Sequence, residues 1–168
     1  LNDWQEYQPD RNLEAEANQF AAALLLPERF FASQCKGRKP SLELVSGLAE
    51  TFNVSLTATA LRYLKFSEEA CVVIYSQDGY IKWFQGSEEY ERVCEDLGLF
   101  IDIQGKLIPS SFAASVFQGR SALSSPERVD ASAWFVSGRY ETNATVLEQS
   151  WSMPQYNAVL TLLWVDDD

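Results

Sequence analysis

CVVIYSQDGYIKWF, residues 71–84, is two runs rich in β-branched and aromatic residues on either side of Asp78-Gly79. That dipeptide suits the left-handed backbone of a tight two-residue turn, so the stretch predicts a hairpin of two antiparallel strands. Towards the C-terminus, Ser87 to Leu97 reads as a helix stopped by Gly98, and SSFAASVFQG (110–119) as a shorter one ended by Gly119. Three further segments, ASAWFV (131–136), ATVLEQSWS (144–152) and AVLTLLWV (158–165), read as strands. The last is apolar on both faces apart from Thr161, which predicts a central place in the sheet. Residues 67–168 thus read as an antiparallel sheet of about five strands with helices on one face, and the fold class as α+β.

Towards the N-terminus the periodicity becomes helical. A first helix is expected from about Asn12 to Leu26, with Asp10 or Asn12 as its cap, and Pro27 punctuates it. PERFFASQC (27–35) begins a second, short helix, because proline is well tolerated in a first helical turn. SLELVSGLAETF (41–52) and SLTATALRYLKF (55–66) each open on a serine cap and continue with apolar residues at helical spacing. The chain therefore divides into an all-helical segment, 1–66, and an α+β segment, 67–168.

Composition narrows the function classes. The 168 residues are 46% apolar and 13% aromatic, enough for a genuine core. A net charge of −11 disfavours non-specific attraction to nucleic acid or to an anionic membrane. Cys35, Cys71 and Cys94 are too few and too irregularly spaced for a zinc ribbon or a disulfide scaffold, so reduced core thiols are expected. No apolar run reaches 18 residues and no signal peptide is evident, which points to a cytoplasmic protein without a membrane span. The chain starts at Leu1 and contains no histidine, and both facts lead us to expect a fragment of something longer. Without histidine there is no Ser-His-Asp or Cys-His arrangement, and no phosphate-binding glycine loop is present.

Within the first helix, Leu13, Ala17, Phe20, Ala21, Leu24 and Leu25 form a broad apolar arc. Glu14 and Asn18 share its edge, one turn apart, so their side chains can act on a common object. One account is that Glu14 simply meets the positive end of the helix dipole, worth roughly 0.3–1 kcal/mol, with Asn18 exposed. The other is that Glu14 ligates a metal while Asn18 supports a neighbouring ligand.

The stretch EAEANQFAAALLLP (14–27) resembles the helix that follows the HExxH motif in the ImmA/IrrE family of zinc metallopeptidases. The resemblance continues through LELVSGLAETFNVSLTATALRYLKF (42–66), similar to the segment that closes the peptidase domain. It implies that residues 1–66 are the distal part of a zincin-like domain, that Glu14 is the third zinc ligand and that Asn18 supports a zinc-bound histidine. More weakly, LTLLW (160–164) is similar to a strand in the further domain of some relatives, which implies a sensor or GAF-like regulatory module over 67–168. The HExxH helix itself is not in this chain, so the fragment is expected to be metal-free and inactive, zinc belonging to the intact parent. For that parent the resemblance implies regulatory proteolysis in stress responses, with a protein substrate such as a transcriptional repressor. The apolar face normally covered by the missing helix suggests a homodimer of the fragment.

Two other readings have a basis in the residues. Residues 41–66 also look like a helix-turn-helix, with Thr57, Thr59, Arg62 and Lys65 as base or phosphate contacts. Two basic residues on that helix and the net charge of −11 leave little capacity for phosphate, so nucleic acid is the disfavoured partner. Alternatively, Trp83, Trp134, Trp151 and Trp164 could line a ligand pocket in 67–168, although strand aromatics more often build a core.

Overall fold

The computed structural model describes residues 24–119, 125–137 and 144–165. Pro27 caps α1 (Glu28–Cys35), its fixed φ suiting the helix entry. The α2 helix (Leu42–Phe52) starts at Ser41, whose Oγ accepts the Leu44 N–H at 3.1 Å. The α3 helix (Leu56–Leu64) repeats the device, Ser55 accepting the Ala58 N–H at 3.2 Å. Asn53, left-handed at φ 53°, turns the chain between the two.

β1 (Cys71–Gln77) and β2 (Tyr80–Gly86) form the predicted hairpin, with Asp78 and Gly79 both left-handed at φ 54° and 79°. The α4 helix (Glu88–Leu97) is capped by Ser87 and closed by left-handed Gly98. It leads into β3 (Leu99–Phe100) and then α5 (Phe112–Phe117), which Ser111 caps. β4 (Glu127–Asp130), a single 3-10 turn (Ala131–Ala133), β5 (Val136–Ser137), β6 (Thr145–Met153) and β7 (Ala158–Trp164) follow.

Five strands make one antiparallel sheet in the order β2-β1-β7-β6-β4, while β3 and β5 pair separately. β7 lies at the centre with all seven of its residues buried, as its two-sided apolar pattern requires. One expectation is corrected. The fifth strand of the sheet is not 131–136 but β4, an edge strand of four residues whose exposed side chains hide it from a search for apolar runs. ASAWFV instead folds over the sheet as a turn, burying Ala131, Ala133, Trp134 and Phe135.

Alternation along the strands creates two cores. On one face Val72, Ile74, Val159 and Leu163 pack against Tyr90 of α4, Phe112 and Val116 of α5, and Trp134. On the other, Val73, Leu160, Leu162 and Trp164 pack against Phe31, Val45, Leu48, Tyr63 and Leu64 of α1–α3. The helices within 67–168 thus keep to one face as expected, and the helical segment covers the other, sharing its core with the sheet. Where α4 crosses β2 the fit is tight: a methyl group at Gly86 would overlap the Tyr90 ring. Gly86→Ala is expected to lower the unfolding free energy by about 1–3 kcal/mol through overpacking, measured by urea denaturation. An unchanged midpoint would show that Tyr90 swings aside freely.

Candidate functional site

Glu14 and Asn18 lie outside the described residues, so their geometry is not on view. In the first described residues Leu24 and Leu25 are exposed, at 67% and 55%, and Leu26 is fully buried. Phe30 of α1 is also half exposed. Arg62 of α3 donates its Nε–H to the Leu26 carbonyl at 3.2 Å and lies over the Phe66 ring, 4.9 Å from its centroid. Thr59 is fully buried and donates to the Ser55 carbonyl at 2.9 Å. Thr57 is half-buried and Lys65 exposed. Of the four residues named as DNA contacts, Thr59 and Arg62 therefore serve the packing of α3 itself, and the structure does not gather the four on one open face.

The most developed polar constellation in the described residues sits on β6. Glu148 is fully buried on the α5 face, where Oε2 accepts the Phe112 N–H at 3.1 Å and the Trp134 indole N–H at 2.8 Å. Its Oε1 accepts the Ala113 N–H at 2.6 Å and the Ser150 hydroxyl at 3.2 Å. Ser150 and Thr161 share a further hydrogen bond of 2.8 Å across β6 and β7. Burial pushes the Glu148 carboxyl above its ordinary range, while these donors pull it the other way. The carboxylate opposite it on β4 is Glu127.

Gln149, the next residue, is fully buried on the other face. Its Oε1 accepts the Leu42 N–H at 2.7 Å, and its Nε2 donates to both carboxylate oxygens of Glu43 at 3.1 and 3.0 Å. The first turn of α2 is thereby fastened to the sheet. Sequence reasoning placed Glu148 and Gln149 on a strand and assigned them no role. The available signal was two adjacent long polar side chains inside a strand next to the sheet centre, where neither face is free for them.

The remaining reactive groups are quiet. Cys35 and Cys71 are buried thiols, and burial pushes Cys35 up to about 11, so it stays protonated at neutral pH. Among the described residues no three His, Cys, Asp or Glu side chains converge to hold a metal ion. The tryptophans take different places. Trp164 is core, Trp83 stacks on Tyr75 at 5.4 Å, Trp151 is exposed, and Trp134 helps to wall a cleft of about 130 Å³ with Phe135, Leu107 and Ile108. Asp102 and Lys106 are charged residues on that wall. No helix among the described residues is long and apolar enough to cross a membrane.

Comparison with known proteins falls on the helical segment. Residues 6–64 match the family model described as the IrrE N-terminal-like domain, of the peptidase M78 type. The match includes Glu14 and Asn18 and ends at the last residue of α3, leaving the whole sheet outside it. It supports the ImmA/IrrE resemblance read from EAEANQFAAALLLP, and that family is of the zinc metallopeptidase type. No curated protein matches the chain.

Proposed function

We propose that this chain is the distal part of an ImmA/IrrE-like zinc metallopeptidase, joined to an α+β regulatory module of GAF-like type. The observation that carries the reading is the family match over 6–64, which coincides with the stretch that holds Glu14 and Asn18. In this reading Glu14 is the third zinc ligand and Asn18 supports a zinc-bound histidine supplied by the HExxH helix of the parent. Zinc in such a site supplies a Lewis acid and an activated water. This chain, which has no histidine, does not complete the site, so no hydrolytic step is assigned to it and it is inactive by itself. The parent acts in the cytoplasm on a protein substrate, such as a transcriptional repressor. Leu24, Leu25 and Phe30, exposed on the helical side, are where the rest of the peptidase domain or a second copy would pack.

The test is made on the native protein in its source cells, by intact mass, N-terminal sequence and zinc content. The expected result is a longer product with HExxH ahead of Leu1 and one zinc per chain. In that product Glu14→Ala lowers zinc affinity by about tenfold or more, and Glu16→Ala, which helical spacing puts opposite the apolar arc, leaves it unchanged. A zinc-free native product, or equal effects of the two substitutions, would overturn the reading. A helix-turn-helix or ligand-binding module would then be the better account.

A further inference from the structure

Glu148 and Gln149 are consecutive on one strand, fully buried, and directed to opposite faces of the sheet. Each accepts backbone N–H groups from the first turn of a helix: Phe112 and Ala113 of α5 on one side, Leu42 of α2 on the other. These are donors that a helix cannot satisfy internally, and the serine caps do not reach them, since Ser111 and Ser41 serve Ala114 and Leu44. We propose that Glu148 and Gln149 are positioning residues that make β6 a two-sided clamp, through which the packing of α5 and Trp134 on one face sets the placement of α2 on the other.

Three features carry the idea. The two clamping side chains share a peptide unit, so a shift or twist of β6 that frees one of them displaces the other. Among the described residues the pairing of β4 with β6 ends at Glu148, so there the clamp sits at the end of the β4 ladder. Finally, both ends are tied to more than one group. Glu148 holds the Trp134 indole as well as α5, and Gln149 holds the Glu43 carboxylate as well as the Leu42 amide. Tightly packed layers respond to such displacements by moving between discrete arrangements rather than by deforming smoothly. Because α2 lies within the segment matched as IrrE-like, the clamp is the physical link by which the sheet module would act on the peptidase segment. That functional meaning rests on the reading above. The mechanical coupling does not.

Amide exchange on the full chain tests it. Gln149→Glu keeps an acceptor for the Leu42 N–H but sets a carboxylate against Glu43, and Glu43→Gln with Gln149→Glu restores a donor-acceptor pair with the roles exchanged. The single variant is expected to speed exchange at Leu42 by about tenfold and at Phe112 and Ala113, on the opposite face, by about threefold or more. The double variant brings both sites back to within about twofold of wild type. Amides of β7 report global opening and speed up with the overall loss of stability, whereas those of β2, at the far edge of the sheet, exchange by local opening that leaves the clamp intact and keep their wild-type rates. Glu43→Gln alone is a milder perturbation with the same readouts, should Gln149→Glu fail to fold. Acceleration confined to Leu42, or equal acceleration at every amide including those of β2, would overturn the proposal. A zinc-free native protein would remove the peptidase reading and leave this exchange pattern untouched.

Discussion

Replacing Glu148 with alanine is expected to lower the unfolding free energy by about 3–5 kcal/mol, among the largest effects of any single substitution in this chain. Three N–H donors and one hydroxyl converge on that carboxylate in a site from which water is excluded. Truncation leaves the Phe112, Ala113 and Trp134 donors without an acceptor, at roughly 1–3 kcal/mol each, and relief from burying a charge offsets part of that sum. The pH dependence has a definite sign. The folded-state carboxyl is raised above its ordinary value of 4.5, chiefly by burial, so the folded chain holds this proton to higher pH than the unfolded chain does. The contribution of Glu148 is therefore fullest below 4.5 and declines as pH rises through the raised value. The alanine penalty should accordingly be larger at about pH 5 than at about pH 7.5 when both chains are unfolded in urea. A penalty that grows with pH would show that hydrogen bonding outweighs burial at this site.

Cutting the chain between residues 66 and 67 should abolish cooperative folding of the sheet segment. The sequence changes character at that point, from helical to strand-like periodicity, and the boundary looks like one between domains. In the folded molecule Val73, Leu160, Leu162 and Trp164 have one face of the sheet packed against α1–α3, and Gln149 has its hydrogen-bond partners there. A segment of 67–168 alone would expose that face and strand a buried amide. We expect a compact state with strand-like circular dichroism, strong dye binding and no sharp unfolding transition. A well-dispersed NMR spectrum from 67–168 alone would show instead that the two segments are independent. Phe31→Ala asks the same question within the intact chain. Phe31 is fully buried and its ring meets those of Phe52 and Phe66 at 5.6 and 5.9 Å, so its loss should cost about 3–5 kcal/mol.

The elements legible in the sequence were those set by local chemistry. Ser41, Ser55, Ser87 and Ser111 cap helices because a serine oxygen satisfies an orphan amide whatever the rest of the fold does. Asp78-Gly79 makes its turn for an equally local reason. The errors came where tertiary packing decides. ASAWFV is a continuous apolar run, which a buried turn satisfies as well as a strand does, and ERVD shows an edge strand's exposure rather than a core strand's apolar pattern. For the candidate site, Glu14 and Asn18 stood out by their spacing on an apolar edge and by resemblance. Glu148 and Gln149 acquire meaning only when helices distant in sequence by 36 and 107 residues arrive at their ends.

The position of β7 bears on how the molecule is made. This strand is the shared wall of both cores and pairs with β1 along its whole length, from Cys71 opposite Trp164 to Gln77 opposite Ala158. During synthesis, residues up to about 157 therefore emerge without the central strand of the surface that either helical layer packs against. The helices α1–α3, though synthesised before the sheet, must wait with Phe31, Val45 and Tyr63 uncovered until residues 158–164 are available. Because so much of the pairing is non-local, folding should be slow for a chain of this size, and the interval before β7 closes is when aggregation or chaperone capture competes.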